Sequence, residues 1–373
     1  MQTTYPPLKI LCIILWIGCS PPLENTADQA EDLEPNHDVT TLPLNDFMPK
    51  SIYNVTKTRV AKARYPAIDM HSHPYPKTDE DVKKWVEVLD AKGIDKTVLL
   101  TYSTGTRFDS LAELYGAYPD HFILFCGFDY TGYDQPGYGP AAVAELERCV
   151  RKGALGVGEL GDKGKGLFYS RPTKGYGMHI DDPRMDPLIQ RCGELGIPIS
   201  IHVAEPKWMY ENMDATNDGL MNAFKWRLDD EDDILSHTEM LQTLSNALEK
   251  HPQTTFIACH YANCSYDLDL LGGLFDRFSN LYADISARYG ETAPIPRKVK
   301  AFYTKYQNRL VYGTDMGTDA GMYEATFRIL ETADEHFYDR GHFNYHWPLH
   351  SYDLPDDVLK KVYRSNALGI LGE

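Results

Sequence analysis

Imidazole and carboxylate side chains occur along this chain at spacings that suit metal chemistry. His71 and His73 form a His-x-His pair, and side chains two residues apart lie on one face of an extended chain. Two such imidazoles can bind one divalent ion through nitrogens about 2.0–2.1 Å away. A carboxylate between two sites can bridge a second ion, and another can accept a proton from metal-activated water. The candidate metal ligands are His71, His73, Glu159, His202, His260 and Asp315.

Short apolar runs lead into these candidates and define the elements that must position them. Each run has the length and composition of a strand buried on both faces of a parallel sheet. Between the runs, apolar residues recur at helical spacing and the stretches end at glycines, as residues 79–92 do before Gly93. The predicted strands cover residues 66–71, 97–101, 122–128, 155–159, 198–202, 255–260, 281–285 and 310–315.

Eight strand-and-helix units predict an α/β fold, a (β/α)8 TIM barrel with its metal site at the C-terminal ends of the strands. The candidate ligands lie at the ends of strands one, four, five, six and eight, where the loops of such a barrel converge. On strand six, alternation places Phe256 and Ala258 on one face with His260 and predicts that Cys259 faces the helices. No G-x-G-x-x-G turn opens the first unit, which argues against dinucleotide binding.

The order of these ligands along the strands resembles that of the amidohydrolase superfamily. The segments IDMHSH at 68–73, ISIH at 199–202 and YGTD at 312–315 narrow the resemblance to the amidohydrolase-related (type 2) branch. The resemblance spans residues 66–373. That branch contains hydrolases, lactonases and nonhydrolytic decarboxylases, so the resemblance implies a metal-dependent enzyme.

The resemblance also implies roles for individual residues. His71, His73, His202 and Asp315 match the family's metal ligands. His260 matches either a ligand of a second metal ion or the catalytic histidine that polarises the substrate. The implied cofactor is one or two divalent metal ions, with Zn2+ as the first choice and Mn2+ also suited to carboxylate ligands.

Glu159 departs from the pattern of the decarboxylases. Those relatives typically use one metal ion and lack an acid on strand four, whereas the segment Gly158–Gly161 supplies one here. A glutamate at this position is more similar to the two-metal hydrolases of the superfamily. The alternative is a loop carboxylate that pairs with Lys163 or Lys165.

These residues together predict a hydrolase of a small organic substrate that contains an amide, ester or lactone bond. In this interpretation the metal activates water, Asp315 accepts its proton, and His260 stabilises the developing oxyanion or binds the second ion. One alternative is a metal-dependent decarboxylase of an aromatic or muconate-like acid. Another is a catalytically inactive binding lipoprotein, but no ligand is missing.

Three residues outside the ligand set are candidates for substrate binding. Trp208 and Tyr210 lie in the long segment after strand five, which can form a lid over a small-molecule substrate or simply pack on the neighbouring loops. Arg288, just past strand seven, can pair with a substrate carboxylate. An internal ion pair of Arg288 with Asp284 or Glu291 is the alternative.

The net negative charge of the chain argues against a nucleic-acid partner. The chain has 37 Lys and Arg against 54 Asp and Glu, for a formal net charge of −17. Such a surface repels phosphate backbones, and no basic stripe is present, so a nucleic-acid partner is not expected. With 43% apolar and 24% charged residues in 373, the composition is that of a folded protein with a core.

The N-terminal segment is predicted to lie outside the fold. The apolar run 10–17 follows Lys9 and is shorter than the roughly 20 residues of a membrane-spanning helix, as is typical of a secretory signal. Gly18-Cys19 resembles a bacterial lipobox, although an ordinary cleaved signal is the alternative. The prediction is a lipoprotein-type signal peptide at 1–19, an acidic disordered tether at 20–58 and the TIM-barrel domain at 59–373. The protein is then lipid-anchored to a membrane of the bacterial cell envelope, outside the cytoplasm.

Cys19→Ser tests the predicted lipid anchor. Because the thiol is the site of lipidation in a lipobox, the variant should move from the membrane fraction to the soluble fraction. Immunoblots of fractionated cells measure this, with Cys12→Ser as the control that keeps its anchor. Retention of the Cys19→Ser variant in the membrane fraction would contradict lipidation at this residue.

Overall fold

Eight parallel strands form the central sheet. The structure is a computed structural model and describes residues 39–373. Residues 47–373 make up one compact unit, and the described part of the other unit, residues 39–46, contains a single turn at Leu44–Asp46. Strands β1 to β8 are Ala67–Ser72, Ile94–Leu100, Phe122–Cys126, Ala154–Asp162, Ile199–Val203, Phe256–Ala258, Leu281–Asp284 and Leu310–Val311.

Helices connect consecutive strands. Helix α1 begins after Thr78, whose side chain accepts a hydrogen bond from the backbone of Asp81, and ends at Gly93 in the left-handed conformation (φ 74°). The predicted helix at 79–92 is therefore confirmed. Helices α1 to α12 are Asp79–Lys92, Gly105–Gly116, Pro140–Arg151, Asp186–Leu195, Leu220–Ala223, His237–Lys250, Leu268–Arg277, Tyr289–Thr292, Pro296–Lys305, Ala320–Glu331, Asp356–Lys360 and Asn366–Leu371.

Backbone hydrogen bonds join the last strand to the first. The amide of Met70 donates to the carbonyl of Tyr312 over 2.9 Å, and the amides of Thr314 and Asp315 donate to the carbonyl of His71 over 3.2 and 2.9 Å. The sheet thereby closes on itself, and the predicted TIM barrel is confirmed.

The strands have two apolar faces. One face packs against the helices, as shown by Leu99 of β2 and Val82 of α1 in a single cluster. The other face fills the barrel interior with large side chains, and α12 covers this cluster with Ala367 and Ile370. The strand residues of the interior cluster are Ile68, Met70, Val98, Leu100, Ile123, Phe125, Ile257, Cys259 and Val311.

Strand six differs from the prediction made from alternation. Phe256 and Ala258 pack on the helix-facing side, whereas Ile257 and Cys259 lie in the barrel interior. The expectation that Cys259 faces the helices is therefore wrong. His260 leaves the alternation because residues 260–263 adopt positive φ angles of 52–58°, which turns the chain at the strand end.

Left-handed backbone conformations recur at the C-terminal end of the barrel. Non-glycine residues with positive φ follow five of the strands, and each such residue costs on the order of 1–2 kcal/mol. They are Tyr102 (39°), Ala204 (60°), His260 (58°), Ala287 (55°) and Asp315 (54°). Strain of this kind collects where side chains must be aimed at a common point.

The predicted N-terminal features fall mostly outside the described residues. The signal segment 1–19 and Cys19 lie there, so both stay predictions, as do the domain bounds. Within the predicted tether, Thr58 donates to the Asp334 carboxylate from its amide and from its hydroxyl, both over 2.7 Å. Among residues 39–373, no helix is long and apolar enough to cross a bilayer.

Thr314→Val tests the side-chain contact that accompanies barrel closure. The Thr314 hydroxyl donates to the buried Asp69 carboxylate over 2.6 Å, and burial raises the pKa of Asp69 to about 7. Valine keeps the volume but removes this donor, so the free energy of unfolding should fall by about 1–3 kcal/mol. Denaturant titration measures the loss.

Thr304→Val is the matched control, because its hydroxyl is exposed and donates only to the Lys300 carbonyl. Its effect should stay within about 0.5 kcal/mol. Equal unfolding midpoints for the two variants would show that the Thr314–Asp69 contact does not stabilise the closure.

Candidate metal centre

The first group of predicted ligands lies between β1 and β8. His73 Nε2 is 3.1 Å from Asp315 Oδ1 and 3.4 Å from Glu159 Oε2. His71 Nε2 is 3.8 Å from Asp315 Oδ1 and 3.9 Å from Glu159 Oε2. His71, His73 and Asp315 thus offer ligand atoms within 4.8 Å of one another, a spacing suited to one metal ion.

The second group lies across the barrel axis. His202 Nδ1 is 2.7 Å from Glu159 Oε1, and His260 Nε2 is 3.7 Å from the same oxygen. Glu159, His202 and His260 form a second set with ligand atoms within 4.8 Å of one another. The Glu159 carboxylate therefore faces one pair of imidazoles with each of its oxygens, which is the arrangement of a bridging ligand.

Irregular backbone brings these side chains to the axis. The pairing register shifts between Asp69 and Ser72 of β1 and between Val157 and Leu160 of β4. A shift of this kind redirects the side chains it carries, here those of His71 and Glu159. Gly313 permits the close approach of β8 to β1. A Cβ atom on Gly313 would lie 2.9 Å from the Cβ of His71.

Hydrogen bonds at Nδ1 orient the two β1 imidazoles. His71 Nδ1 lies 2.9 Å from Asp284 Oδ2, and His73 Nδ1 lies 2.8 Å from the carbonyl oxygen of Leu100. Each ring therefore presents Nε2 to the centre. This use of the second ring nitrogen is the usual way in which proteins orient metal-binding histidines.

Asp284 orients His260 as well. Its Oδ1 accepts hydrogen bonds from the backbone amide of His260 over 3.0 Å and from the Ser286 hydroxyl. The Ser286 oxygen in turn lies 2.8 Å from His260 Nδ1. One buried carboxylate therefore positions histidines from two strands.

The electrostatics of the cluster fit a divalent cation. Burial lowers the pKa of His71, but the neighbouring Asp284, Asp315 and Glu159 carboxylates outweigh it and raise the pKa to about 9. Burial raises the pKa of Asp315, yet His71 and His73 hold that pKa at about 2. His71 Nε2 is buried and has no hydrogen-bond partner among the described residues. A metal ion would supply both positive charge and a partner for this nitrogen, so the donor set fits the predicted cofactor.

Comparison with known sequences identifies the family. A sequence model of the amidohydrolase family matches residues 44–372. The chain belongs to the amidohydrolase family. This membership supports an enzyme with metal-dependent catalysis. A search of curated proteins finds no match.

Solved structures share the barrel at low sequence identity. The 2,6-dihydroxybenzoate decarboxylase from Rhizobium is 14% identical, with a TM-score of 0.51 over 83% of this chain and 99% of that chain. The 5-carboxyvanillate decarboxylase from Novosphingobium aromaticivorans, solved with manganese and 4-hydroxy-3-methoxy-5-nitrobenzoic acid, is 16% identical, with a TM-score of 0.51 over 85% and 100%. An uncharacterised TIM-barrel protein from Bordetella bronchiseptica is 16% identical, with a TM-score of 0.52 over 82% and 99%. At these identities the likeness shows the fold alone.

Glu159 does not pair with Lys163 or Lys165, which was the alternative considered from the sequence. Lys163 pairs with Glu205, and the Lys165 ammonium lies 2.5 Å from the Glu231 carboxylate. Glu159 faces histidines instead, and they hold its pKa well below the usual range although burial opposes this.

Arg288 is buried and bonded within the protein. Its Nε and Nη2 donate to the Asn263 side-chain oxygen over 3.0 and 2.7 Å. Its Nη2 is 3.4 Å from Glu205, and its Nη1 is 3.5 Å from Glu291. Of the two partners considered from the sequence, Glu291 is the one present. A role for Arg288 in binding substrate stays a prediction.

The two aromatic candidates lie on a short turn after β5, Lys207–Tyr210. The Tyr210 hydroxyl donates to the Lys163 carbonyl over 3.1 Å and accepts from the Glu205 amide over 3.2 Å. The Trp208 ring lies 6.0 Å from that of Trp347. Tyr210 therefore packs beside Glu205 and Trp208 beside Trp347, and their contact with a substrate stays a prediction.

Two carboxylates of this centre were not candidates in the sequence. Asp284 was considered only as a partner of Arg288, and Glu205 was not considered. Glu205 Oε2 lies 3.5 Å from His202 Nε2, the ring nitrogen that faces away from Glu159. The available signal was position: Asp284 is the last residue but one of the seventh predicted strand, and Glu205 follows His202 by three residues.

Glu159→Gln tests the bridging arrangement. An amide has one oxygen and a nitrogen that cannot bind a cation, so one of the two ligand sets should lose affinity. Elemental analysis should find close to two metal ions per wild-type chain and close to one in the variant. Glu331→Gln, a buried glutamate bonded to Tyr363, is the control and should keep both ions. A single ion in fully loaded wild type would contradict the bridge.

Proposed function

We propose that this chain is a metal-dependent hydrolase of a small organic substrate that contains an amide, ester or lactone bond. One observation carries the proposal: the two oxygens of Glu159 face two separate pairs of imidazoles, 2.7–3.9 Å away. Such a site suits two divalent ions that share a carboxylate, an arrangement used for attack by water on an electrophilic carbon or phosphorus.

The chain's own residues divide into two ligand sets. His71, His73 and Asp315 would hold one ion, and Glu159, His202 and His260 the other. Zinc accepts this mixture of nitrogen and oxygen donors, and manganese accepts it too because the carboxylates are hard ligands. When bound, the ions polarise the substrate carbonyl and lower the pKa of water.

Asp315 is the residue best placed to accept the proton of the attacking water. Its side chain is 23% exposed, whereas that of His71 is 0% exposed, so Asp315 lies on the open side of the centre. Its low pKa keeps it ionised at neutral pH. The Tyr75 hydroxyl, 3.4 Å from Asp315 Oδ1, can hold the carboxylate in place while it passes the proton to the leaving group.

His260 fits the role of ligand better than that of proton donor. Its Nδ1 lies 3.0 Å from the Ser286 carbonyl oxygen, which can only accept, so Nδ1 carries the proton. Burial lowers the pKa of His260, so the ring is neutral and Nε2 has a free lone pair. A lone pair binds a cation and cannot donate to an oxyanion.

Decarboxylation of an aromatic or muconate-like acid is the second candidate. It is favoured by the presence of decarboxylases among the similar structures, which have the same fold. The buried Arg288 is less suited to bind a substrate carboxylate, because Asn263, Glu205 and Glu291 already surround it. A purely binding role is the least suited, since all the predicted ligands converge.

We further propose that the N-terminal signal places this activity in the bacterial cell envelope.

Asp315→Asn separates catalysis from metal binding. An amide cannot accept a proton, so turnover should fall by about 10²–10⁴. The thermal midpoint should move little, because His71 and His73 remain to bind the ion. Asp353→Asn, an exposed partner of Lys300, is the control and should retain full activity. Loss of metal and stability together, with normal turnover per bound ion, would mean that Asp315 is only a ligand.

Isotope labelling decides between the two candidate reactions. A screen of amides, esters, lactones and aromatic acids in water enriched in oxygen-18 identifies the substrate class. Hydrolysis places the label in the product acid, whereas decarboxylation releases carbon dioxide without label in the organic product. The second result would replace the hydrolase proposal with the decarboxylase.

A further inference from the structure

Cys259 lies in the barrel interior, next to the metal centre. It is fully buried and belongs to the cluster that contains Ile68, Met70 and Val311. Its sulfur lies 3.5 Å from the Ser200 hydroxyl oxygen. This residue immediately precedes His260 and lies in the interior together with Ile257.

The thiol shares space with two of the metal ligands. One ligand atom each of His71, Glu159 and Cys259 lie within 4.8 Å of one another. His71 Nε2, the ligand atom already assigned to the centre, is completely buried and lacks a hydrogen-bond partner among the described residues. A cation bound to this nitrogen would have the Cys259 sulfur within reach as a further donor.

We propose that Cys259 is a sulfur ligand of the centre, on the side away from the substrate. The inference rests on the proposed function, in which this centre binds divalent ions. On binding, the thiol releases its proton to solvent and a metal–sulfur bond of about 2.3 Å forms, with no change of oxidation state. Thiolate is a soft ligand, so the centre selects zinc, cobalt or cadmium over manganese or magnesium.

Cobalt spectroscopy on the full chain tests the proposal without a substrate. The metal-stripped wild type is loaded with Co2+ alone, and bound cobalt is measured both by elemental analysis and by its visible bands. A sulfur ligand adds a sulfur-to-cobalt charge-transfer band in the near ultraviolet. We expect this band in the wild type and its loss in Cys259→Ser and Cys259→Ala.

Cys264→Ser is the matched control. Cys264 lies in the same loop, is equally buried, and donates from its sulfur to the Ala262 carbonyl. All five cysteines among residues 39–373 carry free thiols, so the control also measures adventitious binding of cobalt to sulfur. The charge-transfer band should persist in this variant.

Competition between Zn2+ and Mn2+ gives a second readout. Cys259→Ala should lower the preference for zinc over manganese by at least about 10–100-fold. Loss of a residue that only hydrogen-bonds a metal ligand already costs about that much affinity. An unchanged preference would overturn the proposal.

The possible failures are distinguishable. Wild type that binds cobalt without a charge-transfer band overturns the role of Cys259 and leaves the hydrolase proposal intact. A charge-transfer band that persists in both Cys259 variants, or that disappears in Cys264→Ser, also overturns the role of Cys259 and leaves the hydrolase proposal intact. Wild type that binds no cobalt, zinc or manganese overturns the metal-dependent function and the Cys259 role together. If neither Cys259 variant folds, absence of the band in wild type overturns the proposal, and its presence in both wild type and Cys264→Ser supports it.

Discussion

The contact between Asp284 and His71 connects the barrel to the chemistry of its open end. Both side chains are completely buried, and they meet over 2.9 Å across 213 residues of sequence. A carboxylate in such a position is costly unless it is paired and hydrogen-bonded. Asp284 meets that requirement through His71, Ser286 and the backbone of His260, and in doing so it points two imidazoles at the axis. Its pKa is held well below the usual range by His71, although burial opposes this.

Buried charges next to His202 are also compensated by partners. Glu205 contacts this imidazole, and its charge is neutralised by Lys163 and Arg288. Each charged side chain of this network therefore has a partner of opposite sign. Breaking one member of such a network leaves a buried charge without compensation, which is more damaging than the loss of a surface pair. The centre is therefore held by two layers of contacts, and a metal ion would complete the inner layer.

The interior of the barrel is rigid, whereas the backbone at several strand ends is strained. Its interior is filled by large apolar side chains, whereas several strand ends adopt left-handed conformations with residues other than glycine. This strain is sustained because closure of β8 onto β1 and the buried polar network leave the strand ends no alternative. Membership of the family explains the scaffold, but the reaction depends on particular residues, since one fold supports many chemistries. Glu159 is the residue here that most strongly favours two ions over one.

The sequence alone determined the alternation of strands and helices, the barrel, and the set of six candidate ligands, because residue type and period are local properties of the chain. It also indicated the N-terminal export signal, for which the described residues offer no test. Only the tertiary structure decided that Asp284 orients His71, that Glu205 contacts His202, and that Cys259 faces the interior. The left-handed turn at His260 carries no glycine or other local signal, and it reverses the face that strict alternation predicts. Such breaks in periodicity arise from contacts between residues far apart in the chain, so spacing within one strand does not reveal them.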